Sequence, residues 1–319
     1  MKKKKNAVIS VGLILLIIGV FAYVFTSDNS NNRTESDNES NSSFNEEASL
    51  SIEDVLNKNN EDLLKFIDTR KTVVFAIYGI DDKTTEEGRS DIIMVIKYDP
   101  TVKKMVIVSI PRDLRVDVPG YGMTKINHAY AYEGEQLINQ VVEELLGVKL
   151  DFSVKLNFDT FSSIIDDVGG VEINAKKQFL YDDNSLAIDQ GSQTLNGKDA
   201  LFYVRFRSDS DVDYGRIGRQ QEVVISLMED LKSISTKEKI KLVTTYYDQG
   251  IKTDANLNKI IDYIKMSKAD NDIVYENYRL PTYSEVIDGL WYELYRQEDL
   301  DMIKNLFDKK EEMNLENWK

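Results

Sequence analysis

The 319-residue chain has no cysteine and a single histidine, His128. The first absence excludes disulfides, thiolate nucleophiles and cysteine-ligated metals; the second excludes a multi-histidine zinc centre and argues against a Ser-His-Asp triad. Positive charge is also short. Against 55 Asp and Glu stand 40 Lys and Arg, a net charge of −15, so nucleic acid is not an expected partner. Any catalysis must therefore rest on carboxylates, arginine, lysine, hydroxyls or a hard cation. What the chain does have is ample apolar material for a core, 42% of its residues.

Met1 is followed by four lysines and then by the uncharged run 7–25, whose 19 residues as a helix match roughly the 30 Å of a bilayer core. The run is longer than a signal-peptide core and ends without a small-x-small cleavage site. The expectation is a retained single-span anchor, with residues 1–6 cytoplasmic and the rest of the chain outside the cell membrane. Residues 26–49 are polar and acidic and read as a flexible spacer. Residues 50–71 form an amphipathic helical lead-in, 72–307 one folded domain, and 308–319 a C-terminal tail.

Within the domain, "KTVVFAIYGIDD", "SDIIMVIKYDP" and "KMVIVSIPRD" are apolar runs that predict buried strands, the last two joined as a hairpin. "GEQLINQVVEELLGV" predicts an amphipathic helix with Leu137, Val141, Val142, Leu145 and Leu146 on one face and Gly147 at its end. "DFSVKLNFDTFSSIIDDVGGVEI" reads as strand, helix, Gly-Gly turn and strand. "ALFYVRFR" reads as a further strand and "GRQQEVVISLMEDLKSI" as a long helix. Helices at 255–267 and over "QEDLDMIKNLFDKK" flank the short strand "ENYRLPT". The alternation predicts a single layered α/β/α domain with a mixed central sheet, following an N-terminal transmembrane helix.

Four of the eleven arginines lie in "YVRFRSDSDVDYGRIGRQQ", residues 203–221. Read as a strand, "YVRFR" points Arg205 and Arg207 the same way. Asp213 is placed to cap the helix that follows, on which Arg216, Arg219 and Gln220 share a face. Guanidinium groups converging near a helix N-terminus suit phosphate oxygens. Pairing of the arginines with Asp209, Asp211 and Asp213 as surface ion pairs is the alternative, and spacing leaves both open.

A second constellation is acidic. "GIDD" puts Asp81 at the tip of one strand and "RSDIIMV" puts Asp91 at the start of the next, beside Arg89. Two such carboxylates, with phosphate completing the sphere, are what Mg²⁺ accepts; solvated turn residues are the plainer reading. Third, Pro111 ends a strand and projects Arg112 and Asp113, with Lys125, Asn127 and Tyr130 following on one loop-to-helix segment. His128 reads as a structural residue at the helix start.

Taken in order from "GIDD" through "RSDIIMV", "VSIPRD", "KINHAYAYEG", "ELLG", "DDVGGVEI" and "LNGKDALFYVRFR" to "DYGRIGRQQ", these passages resemble the LytR-CpsA-Psr family of bacterial cell-envelope proteins. The resemblance implies a phosphotransferase that moves an anionic glycopolymer, of teichoic acid or capsular type, from a polyprenyl-pyrophosphate carrier to peptidoglycan. It implies that Asp81 and Asp91 hold Mg²⁺ (or Mn²⁺), and that Arg112, Arg205, Arg207, Arg219 and Gln220 contact the pyrophosphate. Arg89, Asp113 and Arg216 belong to the same motifs. Asp82 departs from many relatives, which carry an uncharged or basic residue there, and its role is open. Asp91 or Asp113 is the expected proton acceptor, and the attacking group is a hydroxyl of the acceptor glycan. Helical segments 223–231 and 161–165 are candidates to line a tunnel for the lipid tail. A hydrolase of the same carrier and a non-catalytic envelope regulator are the competing readings.

Overall fold

The computed structural model describes residues 72–81, 88–99, 101–181, 185–206, 212–248, 252–253 and 273–308. The expected anchor at 7–25, the spacer at 26–49, the lead-in at 50–71 and the helix at 255–267 lie outside these residues. Among the described residues no helix is long and apolar enough to cross a membrane.

Strands β1 (Val73–Ile80), β2 (Ser90–Asp99) and β3 (Lys104–Ser109) coincide with the three apolar runs and are buried along nearly their whole length. They lack a polar face because both sides of the sheet are covered. A hairpin of β4 (Arg115–Val118) and β5 (Gly122–Lys125) leads into helix α1 (Ile126–Leu146), which ends at Gly147 in the left-handed region with φ 68°. Next come β6 (Phe152–Asn157), α2 (Phe158–Asp167) and β7 (Val171–Ala175). The short strands β8 (Phe179–Leu180) and β9 (Leu186–Ile188) pair with each other, and β10 (Gly191–Leu195) pairs with β7.

The next segment corrects the sequence reading. "ALFYVRFR" is not a strand: residues Gly197–Arg205 form helix α3. The Asn196 side chain accepts from the Asp199 amide at 2.9 Å, a cap whose loss typically costs about 1 kcal/mol. Ala200, Tyr203 and Val204 follow Gly197 at helical spacing and are buried. A Cβ at Gly197 would stand 2.0 Å from the Ser162 carbonyl oxygen, so only glycine lets α3 lie this close to α2. Cap and packing together outweigh the β-preference of Phe, Tyr and Val.

Helices α4 (Val212–Ser233) and α5 (Thr236–Asp248) follow, then β11 (Lys252–Thr253) and β12 (Val274–Arg279). A last hairpin, β13 (Tyr283–Ile287) and β14 (Leu290–Leu294), precedes α6 (Gln297–Phe307). The main sheet has six strands in the order β11-β6-β1-β2-β3-β12. β6 lies parallel to β1 and β12 parallel to β3, while β1–β2, β2–β3 and β11–β6 are antiparallel.

Alternation along the strands divides the core in two. Phe75, Ile77, Met94, Ile96 and Ile107 pack with residues of α2, α3, α4 and α5 on one face. Ala76, Tyr78, Val95, Val106 and Val108 pack with α1 and α6 on the other. The fold is therefore the expected layered α/β/α arrangement around a mixed sheet.

Candidate active site

The site forms where β1 ends and β2 begins. Gly79 pairs with Ile92 but the next residue, Ile80, pairs with Ser90, leaving Asp91 as the extra residue of a bulge. A bulge re-aims its side chain out of the regular pleat. The Asp91 carboxylate accepts from Nη1 of Arg112, whose loop follows β3. Asp81 lies one residue beyond β1, at the same end of the sheet, and its amide donates to the Arg89 carbonyl at 3.3 Å.

Arg112 sits in a loop fixed from both sides. The Leu114 amide donates to the Pro111 carbonyl at 3.0 Å, and the Asn127 amide at the start of α1 donates to the Arg112 carbonyl at 3.2 Å. Asp113 faces two cations: Lys125 Nζ at 2.7 Å and Arg112 Nε at 3.4 Å. Burial works to raise the Asp113 pKa, but the Lys125 hydrogen bond and the charges of Arg112 and Lys125 together hold it below the ordinary carboxylate value. Asp113 is thus an anion held between Lys125 and Arg112.

The opposite wall comes from α3 and α4. Lys198, Leu201, Phe202 and Arg205 recur at i, i+3, i+4 and i+7 on α3 and all line one cavity. The Arg205 guanidinium lies 4.3 Å from the ring centroid of Phe158, a cation–π contact that steadies an otherwise exposed side chain. On α4, Arg216 and Gln220 are both 6% exposed and reach the same cavity.

Neighbouring residues of α4 do different work. Gln221 donates to Ser109 Oγ at 2.9 Å and to the Tyr278 carbonyl at 2.7 Å, locking α4 to β3 and β12. Arg219 lies one turn beyond Arg216 on α4, and its guanidinium engages the end of α3. It turns beneath α3, donating from Nε to the Tyr203 carbonyl at 3.0 Å and from Nη2 to the Phe206 carbonyl at 2.6 Å. With Gln220 donating to the Val204 carbonyl at 3.3 Å, α4 satisfies the carbonyls that the end of α3 leaves without helical partners.

The result is a cavity of about 910 Å³ lined by Asp81, Arg89, Asp91, Arg112, Arg205, Arg216 and Gln220, with Lys198, Tyr181, Phe158, Leu201, Phe202 and Phe206 around them. Ile92, Phe158, Leu201, Val204 and Gln220 also border an apolar recess of about 50 Å³, which runs between sheet and helices to Met94, Leu156, Phe161 and Val224. A small adjoining pocket of about 20 Å³ brings Asp113 together with Asp91, Arg112, Arg216 and Gln220. Among the described residues no group of three or more His, Asp or Glu side chains is poised for a metal. Asp81 and Asp91 form a two-carboxylate set of hard oxygens, which fits a divalent cation that draws its remaining ligands from phosphate and water.

Arg207, Asp82, Asp209 and Asp211 lie outside the described residues, as does the side chain of Asp213. Lys198 and Tyr181 were missed from the sequence. A helical reading of residues 197–205 would have placed Lys198 two turns from Arg205 on one face.

The LytR_cpsA_psr family model matches residues 20–309. Over 244 residues the chain is 32% identical to a protein of Oceanobacillus iheyensis named polyisoprenyl-teichoic acid–peptidoglycan teichoic acid transferase TagU, covering 74% of this chain and 75% of that one. It is 36% identical over 169 residues to the Staphylococcus aureus regulatory protein MsrR, covering 52% of this chain and 51% of that one. The solved structure of the LytR-CPS2A-psr family protein YwtF (TagT) with bound octaprenyl pyrophosphate lipid superposes with a TM-score of 0.58 at 25% identity, covering 75% of this chain and 90% of that one.

Proposed function

The chain belongs to the LytR_cpsA_psr family, and from that premise we propose that it is a membrane-anchored, extracytoplasmic phosphotransferase. It moves an anionic glycopolymer from a polyprenyl-pyrophosphate carrier to peptidoglycan. One observation carries the reading: Arg89, Arg112, Arg205, Arg216 and Gln220 meet two carboxylates on a single cavity that continues into an apolar recess. That combination matches a pyrophosphate joined to a hydrocarbon chain. The name of the Oceanobacillus relative and the lipid in the YwtF structure support it. The uncharged run at 7–25 is the sequence's own support for the membrane location.

In the reaction, an acceptor hydroxyl forms a bond to the phosphorus that bears the polymer. The bond from that phosphorus to the bridging oxygen breaks, and polyprenyl phosphate departs. The arginines neutralise charge that grows on the leaving phosphate, in a cavity where their geometry is already set. Arg112 is held by Asp91 and Asp113, Arg205 by Phe158, and Gln220 by the Val204 carbonyl. Asp91 and Asp113 border one small pocket beside Arg112 and are the two carboxylates placed to receive the hydroxyl proton. Arg219 acts indirectly, by fixing the end of α3. Asp81 and Asp91 would hold a Mg²⁺ ion, which would add charge neutralisation at the phosphate oxygens.

The test is full-length protein in detergent with labelled lipid-linked polymer and peptidoglycan, with and without a chelator. A covalent polymer–peptidoglycan conjugate that requires divalent cation supports the proposal. Release of free polymer phosphate without conjugate identifies a hydrolase instead, and no turnover with retained lipid binding points to a regulator.

A further inference from the structure

Beside the cavity, two aromatic rings are stacked on the protein surface with nothing to explain them in the chemistry above. The Tyr121 and Tyr132 centroids are 4.1 Å apart with planes 15° from parallel, and the residues are 46% and 43% exposed. The rings come from different elements, the β4–β5 turn and α1, yet each is presented by a built backbone feature. Pro119 and Gly120 occupy the centre of a turn closed by the Tyr121 amide donating to the Val118 carbonyl at 2.8 Å. Gly120 has φ 81°, which the second central position of a type II turn requires. Tyr132 immediately precedes a break in α1, where Gly134 adopts φ 69° and ψ −146°, a conformation closed to other residues. Both rings are therefore pre-set rather than draped on the surface.

The pair is continuous with the site. Lys125, at the end of the same hairpin, holds Asp113, and Asp113 contacts Arg112. His128 lies 5.9 Å from the Tyr132 ring, and its Nδ1 pairs with Thr124 Oγ1 at 2.8 Å. Burial, and then the charges of Arg89 and Lys125, lower the His128 pKa. Thr124, His128 and Tyr132 join the hairpin to the exposed ring pair.

We infer that Tyr121 and Tyr132 form a docking platform for the sugar rings of the acceptor glycan. This rests on the phosphotransferase reading, because it supplies the acceptor hydroxyl. A pyranose has an apolar C–H face and a rim of hydroxyls. The platform offers an aromatic face together with phenolic hydroxyls and the exposed Glu133 carboxylate, which accepts from Tyr121 Oη at 3.2 Å. Met123, 49% exposed on the same hairpin, extends the apolar surface. An anionic lipid surface is the poorer occupant, since Glu133 would face its headgroups. Docking a saccharide here places it on the hairpin whose Lys125 holds Asp113 beside Arg112.

The test compares full-length wild type with Tyr121→Ala, Tyr132→Ala, the double variant and Tyr121→Phe. Two readouts are taken: the transfer reaction at varied glycan-strand concentration, and direct binding to soluble peptidoglycan glycan strands. The double variant should raise the acceptor KM and weaken strand binding by about tenfold, while the KM for the lipid-linked donor moves less than about twofold. Tyr121→Phe should behave as wild type, because the ring face persists. Unchanged strand binding in the double variant overturns the inference. If wild type binds strands but makes no conjugate, the phosphotransferase reading fails while the binding comparison still decides the platform.

Discussion

Arg219 donates to the carbonyl oxygen of Phe206 at 2.6 Å, tying the middle of α4 to the residue that follows α3. Arg219 is only 7% exposed, and its guanidinium is ringed by Phe179, Tyr203 and Phe206 at 5.3–5.8 Å. The same helix end carries Arg205 into the cavity. One arginine is structural support for another.

Arg219 and Arg205 should therefore fail differently. Arg219→Ala leaves buried carbonyls unpaired and should lower stability by about 1–3 kcal/mol, read by chemical denaturation, together with a loss of transfer. Arg205→Ala removes an exposed side chain and should change stability by less than about 1 kcal/mol while still abolishing transfer. Equal stability losses in the two variants would contradict the assignment.

Lys198 is the cavity cation that spacing alone did not reveal. Lys198→Ala should raise the KM for the lipid-linked donor several-fold, with unfolding unchanged. The effect should shrink as salt rises, since an exposed cation acts through a screened field.

What the sequence disclosed followed from how strongly each feature constrains the chain. Continuous apolar runs marked β1, β2 and β3 because a doubly covered strand has no polar alternation to confuse. Leu137, Val141, Val142, Leu145 and Leu146 marked α1 by their period, and all five are buried. α3 escaped because Phe, Tyr and Val favour strands, while its determinants are the Asn196 cap and the contact of Gly197 with α2, a long-range packing fact. Arg205, Arg216 and Gln220 do share a cavity, but on two helices rather than a strand and a helix. The grip of Arg219 on the carbonyls at the end of α3 was not legible, because it depends on where α3 packs. The bulge that leaves Asp91 outside the pleat was equally hidden, because it is a property of pairing register.

The apolar recess makes a size-dependent prediction. Val224 lies on its wall with Leu156, Phe161 and Leu201. Val224→Trp should fill it, raising the KM for long-chain polyprenyl donors about tenfold or more while leaving short-chain donors little affected. A uniform loss across chain lengths would place the tail elsewhere.

Lys239 on α5 is 2% exposed, and burial pushes its pKa down to about 8. A lysine with a folded value below its unfolded value near 10.4 favours unfolding once charged. The penalty is fully present below pH 8 and is relieved as pH rises from 8 through about 10.4. Lys239→Met should accordingly stabilise the protein at pH 7 by on the order of 1–3 kcal/mol, and denaturation at pH 10 should show most of that gain gone.

The central claim is that one cavity clamps the pyrophosphate while the adjoining recess takes the lipid. A crystal structure of the protein with a polyprenyl pyrophosphate and Mg²⁺ tests it most directly. The account predicts phosphate oxygens against Arg89, Arg112, Arg205, Arg216 and Gln220, the cation between Asp81 and Asp91, and the tail past Leu201 and Val224. A headgroup bound away from these arginines, or a tail lying outside the recess, would contradict it.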